Sequence, residues 1–355
     1  MTKQTTYLSL ILIIIAAACT LSATAHVGAD DTWSSPAAKP GGPIVIKTVM
    51  VEDEDERPAA AGKLAAEALK KAMDGTPLRA VVVSECFEDK EYKQQLLDGV
   101  CSVVPKAIVL GGSTYGSFTQ QGCTDFDSVC LLGIGGDGIA VSAALVTGLG
   151  TSKLAFDEHE AKIKTLLHAA GAKLAGKLRK SDRNKLLLLI PDAHSPKNGY
   201  LVEGVQKVLG AEFPMTGGSV NKNAGQTFVY FGGKMYTDSA VGLMLSGNFK
   251  IAMAGRQAKE NDAVISSAKQ GAAEAMAKMK AEPVAVLAYN CAGRRSKLKN
   301  MADELAAIQE GIGRELPLFG CYNAGEIGPL DIGQQRSGVM CGGGGWHVMF
   351  TVIGR

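Results

Sequence analysis

Apolar positions along this chain recur with two periods, and the two alternate in blocks. Ala80-Val-Val-Val83, Lys185-Leu-Leu-Leu-Leu-Ile190 and Val284-Ala-Val-Leu287 are short, nearly continuous apolar runs, the pattern of buried strands. A helical period precedes each of them, over Ala59–Met73, His159–Leu178 and Ala258–Lys280. In the second of these helices Ile163, Leu166, Leu167, Leu174 and Leu178 share one face; in the third, Ile265, Ala268, Ala272, Ala275 and Met279 do. Another helical period follows each run, over Lys90–Val100, Gly199–Leu209 and Lys297–Ile312. Each block then reaches a glycine-rich strand end: Ile108-Val-Leu-Gly-Gly-Ser113, Pro214-Met-Thr-Gly-Gly-Ser219 and Pro317-Leu-Phe-Gly-Cys-Tyr-Asn-Ala-Gly-Glu-Ile-Gly328. Gly111, Gly217 and Gly320 head these turns about 105 residues apart, beyond the roughly 20–50 residues of solenoid repeats. The pattern predicts three domain-sized copies of one unit.

After each glycine turn come β-type runs, Val129–Leu145, Thr227–Leu245 and Val339–Ile353. Gly232-Gly233 carries the glycine pair of a tight hairpin. The unit therefore reads helix, strand, helix, strand, hairpin, and the fold class is mixed α/β, with mixed sheets flanked by helices. Ile44–Val51 is the first credible strand, and residues 26–43, rich in Ala, Gly, Pro, Ser and Asp, read as a flexible tether. The expected organisation is a signal peptide over 1–25, the tether, an N-terminal domain of two units over 44–247 and a C-terminal domain of one unit over 248–355.

The N-terminus adds an expectation of export. Lys3 precedes the apolar run Leu8–Ala18, and Ala23-Thr-Ala25 offers a small-x-small cleavage site before His26. A lipoprotein start at Cys19 is the second alternative. No later segment approaches about 18 consecutive apolar residues, so no transmembrane segment is expected after cleavage. Net charge is only +2, and basic residues are scattered without interleaved aromatics, which argues against a nucleic-acid partner. Without Cys19 seven cysteines remain, an odd number; Cys123 and Cys130 flank a short polar loop and could pair in an oxidising compartment. Otherwise the cysteines read as small core residues. No zinc spacing is present, and no cofactor is expected.

Gly133-Ile-Gly-Gly-Asp-Gly138 matches G-x-G-x-x-G formally, but the strand pattern Ile139-Ala-Val-Ser142 follows where a dinucleotide site needs a helix. Gly-Asp-Gly is read as a hairpin turn, and Gly342–Gly345 as a mobile loop without the lysine of a P-loop. Cys291 or Cys321 beside His347 or His194 would be the elements of a thiol nucleophile, and this enzyme reading, or one with a nucleotide cofactor, is the alternative to a binding module. Cys291-Ala-Gly-Arg294 follows the third unit's strand, where Arg294 could bind a carboxylate through two hydrogen bonds or pair with a local acid such as Glu304. Glu326, between Gly325 and Ile327-Gly328, would orient a ligand amine or pair with Arg294. Both segments fall at the carboxyl ends of strands, where α/β sheets place ligands.

Taken together, Gly111-Gly-Ser-Thr-Tyr-Gly116, Phe213-Pro-Met-Thr-Gly-Gly-Ser219, Cys291-Ala-Gly-Arg294 and Gly320-Cys-Tyr-Asn-Ala-Gly-Glu-Ile-Gly-Pro329 resemble a FIST protein, with an N-terminal FIST region over about 44–247 and a C-terminal one from about 249 onward. The resemblance implies a sensory, non-enzymatic protein that binds a small ligand, amino acids among the candidates, and signals through a separate partner. It places the ligand on Cys291, Gly293, Arg294, Asn323, Gly325 and Glu326, with Ser113, Thr114 and Ser219 on the earlier glycine turns. The family often sits beside cytoplasmic signalling modules; here an export pattern stands instead.

Overall fold

The computed structural model describes residues 26–28 and 31–355. The expected signal peptide, its cleavage site and Cys19 lie outside the described residues. β1 (His26–Gly28) and β2 (Thr32–Ser34) form a hairpin ahead of the repeats. The first unit is β3 (Val45–Glu52), α1 (Pro58–Ala72), β4 (Leu78–Glu85), α2 (Lys90–Cys101), β5 (Val109–Ser113), the hairpin β6 (Ser117–Thr119) and β7 (Gly122–Thr124), and β8 (Ser128–Gly135). The second is β9 (Ile139–Thr147), α3 (Phe156–Lys177), β10 (Asn184–Pro191), α4 (Asn198–Leu209), β11 (Met215–Gly218), the hairpin β12 (Val229–Phe231) and β13 (Lys234–Tyr236), and β14 (Ser239–Gly247). The third is β15 (Lys250–Gln257), α5 (Asn261–Lys278), β16 (Pro283–Cys291), a short α6 (Ala292–Arg295), α7 (Met301–Ile312), β17 (Leu318–Asn323), the hairpin β18 (Glu326–Gly328) and β19 (Gly342–Gly344), and β20 (His347–Gly354).

Three mixed sheets result, with strand orders β13-β12-β5-β4-β8-β3, β1-β2-β9-β14-β10-β11-β18-β19 and β15-β20-β16-β17-β6-β7. In each, the opening strand, closing strand, central strand and glycine strand come from one unit, while the outer hairpin comes from another. The exchange is cyclic: the first unit's hairpin joins the third sheet, the third's joins the second, and the second's joins the first. Backbone bonds follow the same cycle, Tyr115 N–H to Tyr322 O (2.8 Å), Asn221 N–H to Ser113 O (2.8 Å) and Ala324 N–H to Ser219 O (3.0 Å). The glycine turns earn their residue type by crowding. A Cβ at Gly111 or Gly217 would stand 2.0 or 1.9 Å from the carbonyl of the neighbouring strand, at φ near +150°.

The helices fit the expected spans closely, with local chemistry setting their ends. Asp89 caps α2 by accepting from the Glu91 N–H at 2.6 Å, and Asn300 caps α7 by accepting from the Ala302 N–H at 3.0 Å. That second cap moves the start of the predicted Lys297–Ile312 helix to Met301.

Four expectations are corrected. The segment predicted as a tether is tied down: β2 pairs with β9, Trp33 is buried, and Arg179 and Arg183 donate to the carbonyls of Ser35 and Ala38. Its small residues suit a short added strand whose one large side chain supplies burial. Gly136–Gly138 is not a hairpin turn, because β8 and β9 belong to different sheets; the glycines carry the chain from one unit to the next. Gly342–Gly344 is not a loose loop but strand β19, paired with β18. Cys123 and Cys130 are both free thiols, one on β7 and the other buried on β8, in different sheets.

Candidate functional site

The shared register of the central and glycine strands (Val83 opposite Gly111, Leu189 opposite Gly217, Ala288 opposite Gly320) makes Cys86, Asp192 and Cys291 equivalent positions. Facing them, just before each closing strand, are Asp127, Asp238 and Trp346, all with left-handed backbone at φ 50°, 48° and 66°. The first two copies are closed by ordinary bonds. Asp127 N–H donates to Cys86 O at 2.8 Å. Asp192 Oδ2 accepts from Asp238 N–H and from the Thr227 hydroxyl, both at 2.7 Å. Aspartate tolerates the left-handed conformation; tryptophan there is an outlier that the surroundings must hold in place.

The third copy is chemically different. The backbone N–H groups of Trp346 and Gly293 face the Cys291 sulfur, and the Glu326 carboxyl lies against the same thiol. Glu326 is fully buried. Its Oε2 accepts from the His347 N–H at 2.9 Å, whereas Oε1 has no hydrogen-bond partner of good geometry. Burial pushes this carboxyl up to about 8, against the opposing hydrogen bonds from His347 and Cys291 and the charge of Arg294. Burial also pushes the Cys291 thiol up, with the Glu326 charge adding to it. The Trp346 ring lies over Gly293, where a Cβ would come within 3.2 Å of it, and Lys259 Nζ stands 5.7 Å from the ring centre.

The second unit supports this site from the other side. Asn198, buried at the start of α4, donates to Glu326 O (3.2 Å) and Gly344 O (3.4 Å), holding both strands of the exchanged hairpin. Ser195 N–H donates to Ala324 O at 2.9 Å. At Gly325 (φ +127°) a Cβ would sit 2.7 Å from the Ser195 side chain, so the glycine lets the two units touch.

The nine residues expected to bind ligand thus fall into three places. Cys291, Gly293, Gly325 and Glu326 come together as described. Arg294 is buried beside them but engaged elsewhere. It donates to Asn290 Oδ1 (2.8 Å), Ser267 Oγ (3.0 Å), Val264 O (2.9 Å) and Glu304 Oε1 (2.7 Å), so its ion pair is the local one with Glu304. Glu304 also accepts from Asn290 and from the Tyr322 hydroxyl. Ser113, Thr114, Ser219 and Asn323 gather where the three units meet. There Thr114 Oγ1 bonds Ser84 (2.9 Å), Ser219 Oγ donates to Ala193 O (2.8 Å), and Asn323 Nδ2 donates to Ser219 O (3.3 Å). The central cavity that Ser113, Thr114 and Asn323 border measures only about 10 Å³, room for about one water. A surface groove of about 790 Å³ between the start of β10 and the end of α4 is lined by none of the nine.

Among the described residues no hydrogen bond joins Cys291 or Cys321 to His347 or His194, and His194 Nε2 has no hydrogen-bond partner. His347 Nδ1 and Nε2 face Gly345 O and Gln334 Oε1, each at 2.8 Å. Burial pushes the Cys321 thiol up to about 12, and it donates to Asn323 Oδ1. Among the described residues no group of three or more His, Cys, Asp or Glu could hold a metal ion. Trp346, Asn198 and Ser195 were not foreseen as parts of this site, and His347 was expected as a base for a thiol, not as the backbone donor to Glu326. An internal alignment of Asp127, Asp238 and Trp346, each followed by the first residue of a closing strand, is the signal that would have found Trp346.

The FIST N domain matches residues 80–271, more than half of the chain. The protein belongs to the FIST family. The FIST C domain matches residues 226–329, which include Cys291, Arg294 and Glu326. FIST domains are small-ligand sensory domains, so this FIST protein is a small-molecule-binding module at that coarse level. No curated protein matches the chain. Solved structures similar to it include a cyanuric acid hydrolase from A. caulinodans, 12% identical over 88% of this chain and 99% of that one, TM-score 0.43. Another is PurLQS from Thermotoga maritima, 8% identical over 88% and 72% of the two chains, TM-score 0.30. Likeness at these scores carries no functional meaning. Among the described residues, no helix is long and apolar enough to cross a membrane.

Proposed function

We propose that this FIST protein is an exported sensor that binds a small, amine-bearing polar ligand, amino acids among the candidates, and passes its occupancy to a separate signalling partner. It acts by binding and not by catalysis. The observation that carries this reading is Glu326: a buried acid with one unpartnered oxygen, placed where the exchanged hairpin of the third unit meets the second. A ligand ammonium group would pair with that oxygen, with Cys291 and the Trp346 ring as neighbours. Occupancy would be felt in two units, because Asn198 grips the backbone of the same residue. Arg294, held by Glu304, serves as scaffold and leaves Glu326 as the acidic anchor, which the ligand ammonium would ionise on binding. Export rests on the Lys3, Leu8–Ala18 and Ala23–Ala25 pattern, and the mature chain then starts at His26.

Native mass spectrometry of the purified protein tests the ligand reading. An added mass of small-metabolite size is expected in the wild-type protein and lost in folded Glu326→Gln. An adduct retained at full occupancy in that variant overturns the assignment. Sequencing the N-terminus of protein recovered outside the cytoplasm tests export: a chain starting at His26 supports it, and an intact Met1 in the cytoplasm overturns it.

A further inference from the structure

We infer that Glu326 and Cys291 form a proton-holding pair that sets the charge of the third unit's site, and that Trp346 is the group that senses a change in it. The inference concerns regulation of the site proposed above, but it stands on burial and pairing and holds whichever ligand binds there.

A carboxylate removed from water needs a cation or several hydrogen-bond donors to remain ionised. Glu326 has one strong donor, the His347 N–H, and no ion pair. Charged and titratable groups reach the site from several elements, and Lys259 stands 5.7 Å from the Trp346 ring centre. From the end of β16 comes the Cys291 thiol, and from α6 Arg294, whose guanidinium is bonded to Glu304, Asn290, Ser267 and the Val264 carbonyl. From β20 comes His347, whose ring faces Gly345 and Gln334, with burial lowering its basicity and Asp331 beyond it. From β17 comes the Cys321 thiol, within range of the Glu326 charge. The facing strand β19 is glycine only, and α4 contributes the neutral Asn198.

Two arrangements of one hydrogen bond follow. With Glu326 protonated, its O–H donates to the Cys291 sulfur and Oε2 still accepts from His347. With Glu326 ionised, the proton has left to solvent and the thiol S–H turns to donate to the carboxylate. Cys291, 7% exposed against 0% for Glu326, is the side of the pair nearest to water. His347 N–H is common to both arrangements and directly follows Trp346, whose left-handed backbone leaves that residue little freedom to ignore a new charge. The chain's other tryptophan, Trp33, lies in the second sheet on β2, so the two signals can be separated.

The experiment uses the full chain with Trp33→Phe, leaving Trp346 as the only tryptophan, and follows its fluorescence with pH. One transition is expected, with a midpoint well above the ordinary carboxylate value of about 4.3, and Glu326→Gln in the same background should abolish it. A flat profile, or a transition that survives Glu326→Gln at the same midpoint, overturns the inference. Should Glu326→Gln fail to fold, infrared difference spectra of the unmutated protein decide. A protonated carboxyl band present at about pH 6 and lost on alkalinisation supports the pair, and its absence overturns it. A wild-type protein that carries no metabolite adduct but shows the transition, abolished by Glu326→Gln, would remove the ligand reading and leave this one standing.

Discussion

Asp192 in the second unit and Cys291 in the third occupy the same place in the repeat, and their surroundings could hardly differ more. Asp192 Oδ2 takes both Asp238 N–H and the Thr227 hydroxyl, and Asp238 in turn holds Gly150 N–H at 2.8 Å. Cys291 faces an acid with an unused oxygen, and its partner just before the closing strand is a tryptophan in a conformation that suits aspartate. One architecture has been finished with hydrogen bonds in one copy and left chemically open in the other. A repeated fold supplies equivalent positions; the side chains decide which of them remains available for a ligand.

The comparison breaks most visibly through Arg294. If the third site stands on a buried ion pair, Arg294→Ala leaves Glu304 charged and unpaired and should destabilise the protein by about 3–5 kcal/mol in denaturant unfolding. Arg294→Met together with Glu304→Leu should cost less than that single change. A wild-type midpoint for Arg294→Ala would remove the pair from the scaffold. Next in size is the closed copy. Asp192→Ala removes two hydrogen bonds to a carboxylate and should cost about 1–3 kcal/mol, read in the same assay.

The pH dependence of stability sharpens the contrast. Glu326 holds its proton to higher pH in the folded than in the unfolded chain, so between the ordinary carboxylate range and about 8 the folded state binds more protons. Stability contributed by this group should therefore fall as pH rises through that window, by at most about 1.4 kcal/mol per pH unit. In Glu326→Gln the slope should be flatter there; an unchanged slope would assign it to other groups. The smallest effect belongs to Cys291→Ala, which removes one small, neutral side chain and should cost less than about 1.5 kcal/mol. Asp192→Ala should exceed it, and the reverse order would cancel the distinction between a closed and an open copy.

Much of this was legible in the chain. The apolar runs and helical periods located all three central strands and the helices flanking them, because burial on two faces leaves a one-dimensional trace. The motif around Cys291, Gly325 and Glu326 was also visible, and the structure brings those residues together. Other features were not. Arg294 could be seen to need an acid, and Glu304 and Glu326 both qualified; which was nearer depended on how α6 and α7 fold back beside Asn290. The buried Glu85–Lys93 pair, which also takes the Tyr230 hydroxyl from an exchanged hairpin at 2.5 Å, left no pattern at all.

By itself the sequence determined the composition of each unit, the places where glycine must let strands crowd, and the pairing of a thiol segment with an acid segment in the last copy. Only the tertiary structure decided which unit each hairpin would join. A strand's pattern records which of its faces is buried; the backbone groups on its edge are the same for every residue type and carry no record of the partner. Because Glu326 arrives at its site on such an exchanged hairpin, the same indifference hid the fact that a second unit, through Asn198, holds the acid in place.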